Sequence, residues 1–138
     1  MIEDVQQFVT AWLNREPAID GIVAKRITAD ELDKQQVFPA IRHTIISTLE
    51  DTDLDGVPVA LHSRLQVDCL ALDRHEANAL CRLVRNRLRG YRGVFDGFEV
   101  YGLIPTDAQR NQYTAPKANA KGKGIRVAIQ DFKISYQP

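Results

Sequence analysis

The chain has 138 residues, 44% of them hydrophobic and 26% charged, with 18 acidic and 18 basic side chains. This length suits one domain with a real core, so we expect a single domain over residues 1–138, and no apolar run approaches the roughly 20 residues of a membrane-spanning helix. The acidic N-terminus lacks the basic region of a secretory signal, so we expect synthesis in the cytoplasm and no membrane partner.

The first predicted elements are a helix and a strand. Apolar residues recur at helical spacing over 2–14, and Pro17 ends this helix because the residue before a proline avoids the α region. Residues 37–47 are rich in β-branched side chains, which favour a strand. The acidic segment 50–58 then predicts a long loop that connects this strand to the next one in a hairpin.

Residues 64–90 change hydrophobic period once, which predicts a strand followed by a helix. Apolar and polar side chains alternate over 64–71, as in a half-buried strand. Helical spacing begins after Asp73, which stands three residues before Glu76 as in a capping box. Gly90 can adopt the positive φ that commonly ends a helix.

Two more strands are predicted at the C-terminal end. Residues 98–104 alternate as a third strand, and residues 125–136 form a fourth. The apolar phase of the fourth strand changes by one residue near Gln130 and Asp131, which predicts a β-bulge or a strand that changes partners. Residues 105–124 carry almost no aliphatic side chains, and this composition predicts a mobile basic loop.

The order helix, strand, strand, helix, strand, strand predicts an α+β fold. A four-stranded, mainly antiparallel sheet with two helices packed on one face would bury the apolar stripes, with the long basic loop before the last strand. The other face of the sheet would carry Leu70, Leu72, Tyr101 and Leu103. That face is too apolar to remain in water, so we expect it to be covered or interfacial.

The balanced net charge conceals an asymmetry between the two halves of the chain. Residues 1–73 hold 13 acidic and 6 basic residues, a net charge of −7, and residues 74–138 hold 5 acidic and 12 basic residues, a net charge of +7. Two solvated surfaces of one molecule would give this distribution. A head-to-tail contact between copies would give it too, and such a contact builds a ring or a filament.

Three groups of charged residues are candidates for contacts. They are aspartates of the acidic loop, arginines spaced three and four apart on one helix face, and lysines of the basic loop: Asp51, Asp53, Asp55, Arg82, Arg85, Arg89, Lys117, Lys121 and Lys123. The basic residues could form a solvated surface, contact a partner protein, or bind nucleic-acid phosphates. No row of exposed aromatic residues accompanies them for base stacking.

Catalytic and metal-binding patterns are not evident in the sequence. The segment 51–56 begins like an EF-hand, but His62 occupies the twelfth position, where a bidentate glutamate is needed. Cys69 and Cys81 fall on apolar faces, as small buried hydrophobes do. The three histidines share no ligand spacing, and there is no nucleophile elbow or phosphate loop. We therefore predict no enzyme activity, no metal and no cofactor.

Three segments together resemble a known family. Residues 37–41 at the start of a strand, residues 65–68 in the strand that leads into a helix, and the closing residues 129–136 are similar to the tail-completion and tail-terminator proteins of long-tailed bacteriophages. The resemblance covers most of the chain. It implies a small sheet backed by helices and a protein without enzymatic activity.

The resemblance also implies a role in virion assembly. Such a protein forms a ring, commonly a hexamer, at the head-proximal end of the tail tube, ends tube polymerisation and offers the head a docking surface. The implied partners are other copies of the chain, the major tail tube protein and head–tail connector proteins, with DNA only passing through the lumen. The protein would reach the virion tail after assembly in the host cytoplasm. The alternative is a nucleic-acid-binding module that uses the arginine helix face and the lysine loop.

Overall fold

A computed structural model describes residues 1–33, 36–114 and 124–138, which contain three helices and seven strands. In chain order they are α1 (Val5–Asn14), α2 (Pro17–Val23), β1 (Ile27–Ala29), β2 (Ala40–Thr52), β3 (Pro58–Ala71), α3 (Arg74–Leu88), β4 (Gly93–Phe95), β5 (Phe98–Pro105), β6 (Arg110–Thr114) and β7 (Ile125–Tyr136). The predicted α+β class is confirmed, but the prediction of four strands and two helices is wrong in detail.

The strands form one mixed sheet. Its order is β1-β2-β3-β7-β5-β4, and β6 pairs with the first half of β7, in line with β5. β1 runs parallel to β2, and the other described pairings are antiparallel. The two long central strands, β3 and β7, therefore organise the sheet.

The N-terminal region contains two helices where one was predicted. The Asp4 side chain begins α1 by accepting a hydrogen bond from the Gln7 N–H. Pro17 ends the first helix as predicted, and it also begins α2, because a proline fits the first turn of a helix. The Glu16 side chain caps α2 by accepting from the Ala18 N–H.

The main core lies between the three helices and one face of the sheet, called the inner face here. Its largest fully buried side chains come from α1, α2, α3 and the central strands: Phe8, Leu13, Ile19, Leu80, Leu88, Ile41, Leu65, Phe132 and Ile134. Cys69 and Cys81 are buried in this core, as predicted.

A second, smaller apolar cluster lies on the outer face of the sheet. It joins residues of β3 and β7 to the segment before β2: Leu70, Val127, Ile129, Leu32 and Phe38. The expectation of a covered outer face is thus confirmed for Leu70. Leu72 and Tyr101 remain partly exposed, at 42% and 39% of their surface.

Of the two predictions for Gln130 and Asp131, the bulge is absent and the change of partner is present, since β7 pairs with β6 up to Ile129 and with β5 from Phe132. β7 pairs with β3 from Arg126 to Tyr136 without a change of register. The apolar phase changes because the first half of β7 contributes to the outer cluster and the second half to the inner core. A continuous strand that serves two cores on opposite faces therefore looks, in sequence, like a bulged one.

A bulge is present in β5 instead. The register of β5 against β7 shifts between Val100 and Gly102. The shift turns Leu103 into the inner core, where it is 1% exposed, and leaves Ile104 55% exposed. The prediction that Leu103 lies on the outer face is therefore wrong.

The predicted basic loop over residues 105–124 is in part a strand. β6 occupies Arg110–Thr114, and all five residues are exposed. Main-chain hydrogen bonds to β7 hold β6 in place. Because β6 buries no side chain, its sequence needs no alternation between apolar and polar residues. The segment 115–123, with its three lysines, lies outside the described residues.

The helix α3 confirms the predicted change from strand to helix. It begins after Asp73, whose side chain makes no capping hydrogen bond, and Gly90 follows its end with a φ of 77°. Throughout the described ranges, the helices lack the length and apolar character needed to cross a membrane.

Candidate functional site

The β2–β3 hairpin extends beyond the core as an arm, defined here as residues 46–61 and called the acidic arm. The predicted loop over 50–58 is wrong, because only residues 53–57 lie between the two strands. β3 pairs with β7 only from Leu61 onward, so the outer end of the arm is a two-stranded ribbon outside the sheet. The arm contains four carboxylates and no basic residue.

The three predicted aspartates of the arm have different surroundings. Asp51 Oδ2 lies 2.6 Å from His62 Nε2. Asp53 Oδ1 accepts hydrogen bonds from the N–H groups of Asp55 and Val57, both at 2.9 Å, and so fixes the turn. The Asp55 carboxylate contacts neither a base nor a hydrogen-bond donor among the residues described. The segment 51–56 joins two strands, so it does not form the helix–loop–helix geometry of an EF-hand.

The arm also carries exposed aliphatic side chains. Five of them are about half exposed or more: Ile46, Leu49, Leu54, Val57 and Val59. Leu54, at the tip of the turn, is fully exposed. Several exposed aliphatic side chains on one projecting element favour a site of interaction.

The three predicted arginines of α3 lie on its solvent side. Arg82, Arg85 and Arg89 are exposed, and the opposite side of the helix packs against the sheet. Across the described ranges, none of the three forms an ion pair. We call this row the arginine face.

A cleft of about 290 Å³ lies beside the arginine face, between α3 and the junction of α1 and α2. Its lining residues are Glu16, Leu83, Asn86 and Arg87. At 100° per residue on a helix, Asn86 falls between the arginine face and the other two α3 residues of the cleft. The cleft and the arginine face are therefore neighbours on the exposed half of α3.

The wall of this cleft is fixed by Arg87 and Trp12. The Arg87 guanidinium carbon lies 3.6 Å from the centre of the Trp12 ring. The Trp12 Nε1 donates to the Arg87 carbonyl oxygen, and the Arg87 Nε donates to the Trp12 carbonyl oxygen, both at 3.1 Å. Two reciprocal hydrogen bonds and a cation–π contact hold α1 against α3.

Sequence reasoning missed an ion-pair network on the outer face. The carboxylate of Asp131, which is 1% exposed, lies 2.6 Å from Arg64 and 3.1 Å from Arg110, and Arg64 also contacts Asp107 at 3.1 Å. Burial raises the pKa of Asp131, but the hydrogen bonds from Arg110 and Arg64 outweigh this effect and hold the pKa below its usual range. The signal that could have revealed the network is Asp131 itself, the one acidic residue of β7, in the middle of a predicted strand.

His62 bridges the arm and the sheet. Its Nε2 contacts Asp51, and its Nδ1 lies 2.6 Å from the Ser135 hydroxyl oxygen, at one side of a groove of about 280 Å³. This order of Asp, His and Ser also occurs in hydrolases. Hydrolase nucleophiles, however, stand at turns with free N–H groups for an oxyanion, whereas Ser135 lies within β7, between β3 and β5. The three side chains fasten the base of the arm to the sheet.

The structure brings no cluster of three or more His, Cys, Asp or Glu side chains together as a metal site within residues 1–33, 36–114 and 124–138. His43 is buried in the inner core, and His75 lies on α3. The features that remain as candidates for function are therefore surfaces: the acidic arm, the arginine face and the cleft beside it.

Comparison with known proteins gives two matches, one to a family and one to a solved structure. A family model described as tail completion protein gp17 matches residues 7–130. A chain in a solved structure, the virion of a native gene transfer agent (GTA) particle, is similar with a TM-score of 0.69 and 13% identity, covering 97% of this chain and 95% of that chain. At this identity the likeness shows the fold alone. No curated protein matches the sequence.

Proposed function

This chain belongs to the tail completion protein gp17 family, and from that premise we propose how it acts as a structural protein of a phage or phage-like tail. It forms a ring, a hexamer in our proposal, at the head-proximal end of the tail tube. The ring ends tube polymerisation and provides the surface to which the head docks. It works through shape and complementary contacts and catalyses no reaction.

One observation carries the proposal of a ring. Each subunit presents an acidic arm and a separate arginine face, and no ion pair joins the two within the described part of a subunit. Two different complementary surfaces on identical subunits produce a head-to-tail contact. We propose that the arm, with Asp51, Asp53 and Asp55, meets the arginine face of the neighbour.

The partners follow from the position of the ring. One side of it contacts the major tail tube protein, and the other side contacts head–tail connector proteins. DNA passes through the lumen without sequence-specific binding. The protein is assembled in the host cytoplasm and remains in the virion tail.

A second candidate function uses the same arginine face. Arg82, Arg85 and Arg89 are exposed and have no carboxylate partner among the described residues, so they could also neutralise phosphates of a nucleic acid. A nucleic-acid-binding module predicts tight DNA binding that falls steeply with salt. It does not require a ring.

Electron microscopy of the purified protein, alone and mixed with tails that lack it, tests the proposal. We expect rings, or caps at one end of the tails, and native mass spectrometry should give the copy number. A protein that stays monomeric in both samples contradicts the proposed ring. Salt-sensitive DNA binding by such a monomer would instead support the nucleic-acid-binding module.

A further inference from the structure

We propose that the tip of the acidic arm places Leu54 against Leu83 in the cleft lined by Glu16, Leu83, Asn86 and Arg87 on a neighbouring copy of this chain. This inference rests on the proposed ring and deepens it. Complementary charges mainly orient two subunits as they approach, and the inference names an apolar side chain that would add affinity to the contact. The three steps below concern the anchor, the receiving cleft and the charges around them.

The anchor is a rigid, fully exposed leucine. Leu54 follows Asp53, whose carboxylate accepts two main-chain hydrogen bonds across the turn. The Asp53 N–H also donates to the Val57 carbonyl oxygen at 2.9 Å, and the Gly56 N–H donates to the Asp53 carbonyl oxygen at 3.0 Å. A preorganised tip loses little conformational freedom when it binds, so the burial of its apolar side chain is retained as affinity.

The receiving cleft has a fixed shape and one apolar side chain, Leu83, among the polar side chains of Glu16, Asn86 and Arg87. Leu83 is half-buried and packs against the inner core, and Arg87 is held flat on Trp12. A cleft of about 290 Å³ accommodates one branched aliphatic side chain. Hot spots of protein interfaces have this form, in which one anchor fills one preformed pocket and polar residues surround it.

Charge complementarity selects a second copy as the occupant. Asp53 and Asp55 flank Leu54 in the sequence. Helix geometry places Arg82 and Arg89 next to Asn86, so these arginines and Arg87 outnumber Glu16, the one carboxylate of the cleft. An arm seated in the cleft therefore places its carboxylates beside unpaired guanidinium groups. Both surfaces belong to the same chain, as a closed ring of identical subunits requires.

Site-directed disulfide cross-linking tests the inferred contact. We expect an oxidised mixture of the Leu54→Cys and Asn86→Cys variants to give a covalent dimer that neither variant gives alone. Cys69 and Cys81 are buried, so they leave the background low. Glu31→Cys, an exposed site away from the cleft, replaces Asn86→Cys in the control mixture and should give no dimer.

A second variant tests the contact of Leu54 independently of whether the chain forms a ring. Leu54→Ser removes a side chain that touches nothing in the isolated subunit, so the fold should melt as in wild type while self-association weakens at least about tenfold. Leu72→Ser, an exposed leucine outside the arm, is the matched control. Rings of wild-type affinity in Leu54→Ser, without the cross-link, would overturn the anchor and leave the ring intact. Absence of wild-type rings would instead reject the proposed function.

Discussion

Thr10 Oγ1 lies 2.7 Å from Nε2 of His43, and this contact joins α1 to β2. His43 is completely buried, and its Nδ1 has no partner in the described ranges. Burial lowers the pKa of His43 from 6.5 to about 4, although the carboxylates of Asp30 and Asp4 act in the opposite direction. The folded protein therefore holds this imidazole neutral.

We expect the domain to lose stability as the pH falls below about 6.5. The unfolded chain binds a proton at His43 near pH 6.5, whereas the folded chain binds it only near pH 4, so acid favours unfolding between these values. The expected loss from about pH 7.5 to about pH 5 is about 2 kcal/mol. Urea unfolding at the two pH values measures it. His43→Gln should remove most of this loss, and His75→Gln, an exposed control, should not.

The buried carboxylate of Asp131 leads to a second prediction. Asp131→Asn removes the negative charge that Arg64 and Arg110 share and replaces one acceptor oxygen by an NH2 group. We expect a loss of about 2 kcal/mol, less than for a fully buried pair because both arginines are about half exposed. Asp107→Asn is the matched control, since Asp107 is 49% exposed and should matter little. Equal urea midpoints for the two variants would contradict a structural role for Asp131.

Elements that bury a regular stripe on one face could be predicted from the sequence. The α3 stripe, which includes Leu80, Val84 and Leu88, packs into the inner core as its spacing indicates. The arm and β6 could not be predicted, because an exposed strand shows no alternation between apolar and polar residues. The sequence of β7 does not distinguish a bulge from a change of partner, because the apolar residues of its two halves lie on opposite faces of the sheet.

The candidate surfaces also divide into those that the sequence alone predicts and those that only the fold reveals. The arginine face is visible in the sequence, since its residues are three and four positions apart on one helix. The cleft is not visible, because Glu16 comes from the end of one helix and Leu83 and Arg87 from another. The network around Asp131 also needs the fold, which brings together Arg64 of β3 and Arg110 of β6.

Gly124 gives a third prediction, about the packing of β6 on β7. A Cβ atom at this position would collide with the Thr114 carbonyl oxygen and the ring of Tyr113. Gly124→Ala should therefore destabilise the domain by about 1–3 kcal/mol. Gly21→Ala, in α2, meets nothing within 4 Å and should be neutral or stabilising. Thermal unfolding compares them, and a wild-type midpoint for Gly124→Ala would contradict the close packing.

Charge reversal of the arginine face gives the last prediction. Replacing Arg82, Arg85 and Arg89 by glutamate changes only exposed side chains, so the subunit should fold normally. Because the arm and the altered face then repel each other, we expect light scattering to report a smaller particle mass than for wild type. Unchanged mass would reject the contact. Lys25→Glu combined with Lys133→Glu, two exposed positions outside the face, controls for a general gain of negative charge, since it changes the net charge by −4 and the triple variant changes it by −6.

A compensating reversal shows whether the arm is the partner of that face. Glu50→Lys, Thr52→Lys and Asp55→Lys together change the net charge of the arm from −4 to +1 and leave the turn bonds of Asp53 intact. Neither this variant nor the triple glutamate variant should form rings alone. In their mixture both contacts between unlike subunits are attractive, the basic arm with the glutamate face and the wild-type arm with the wild-type arginine face. The mixture should therefore form rings in which the two variants alternate. Mixtures that remain monomeric would show that the arginine face meets some other surface.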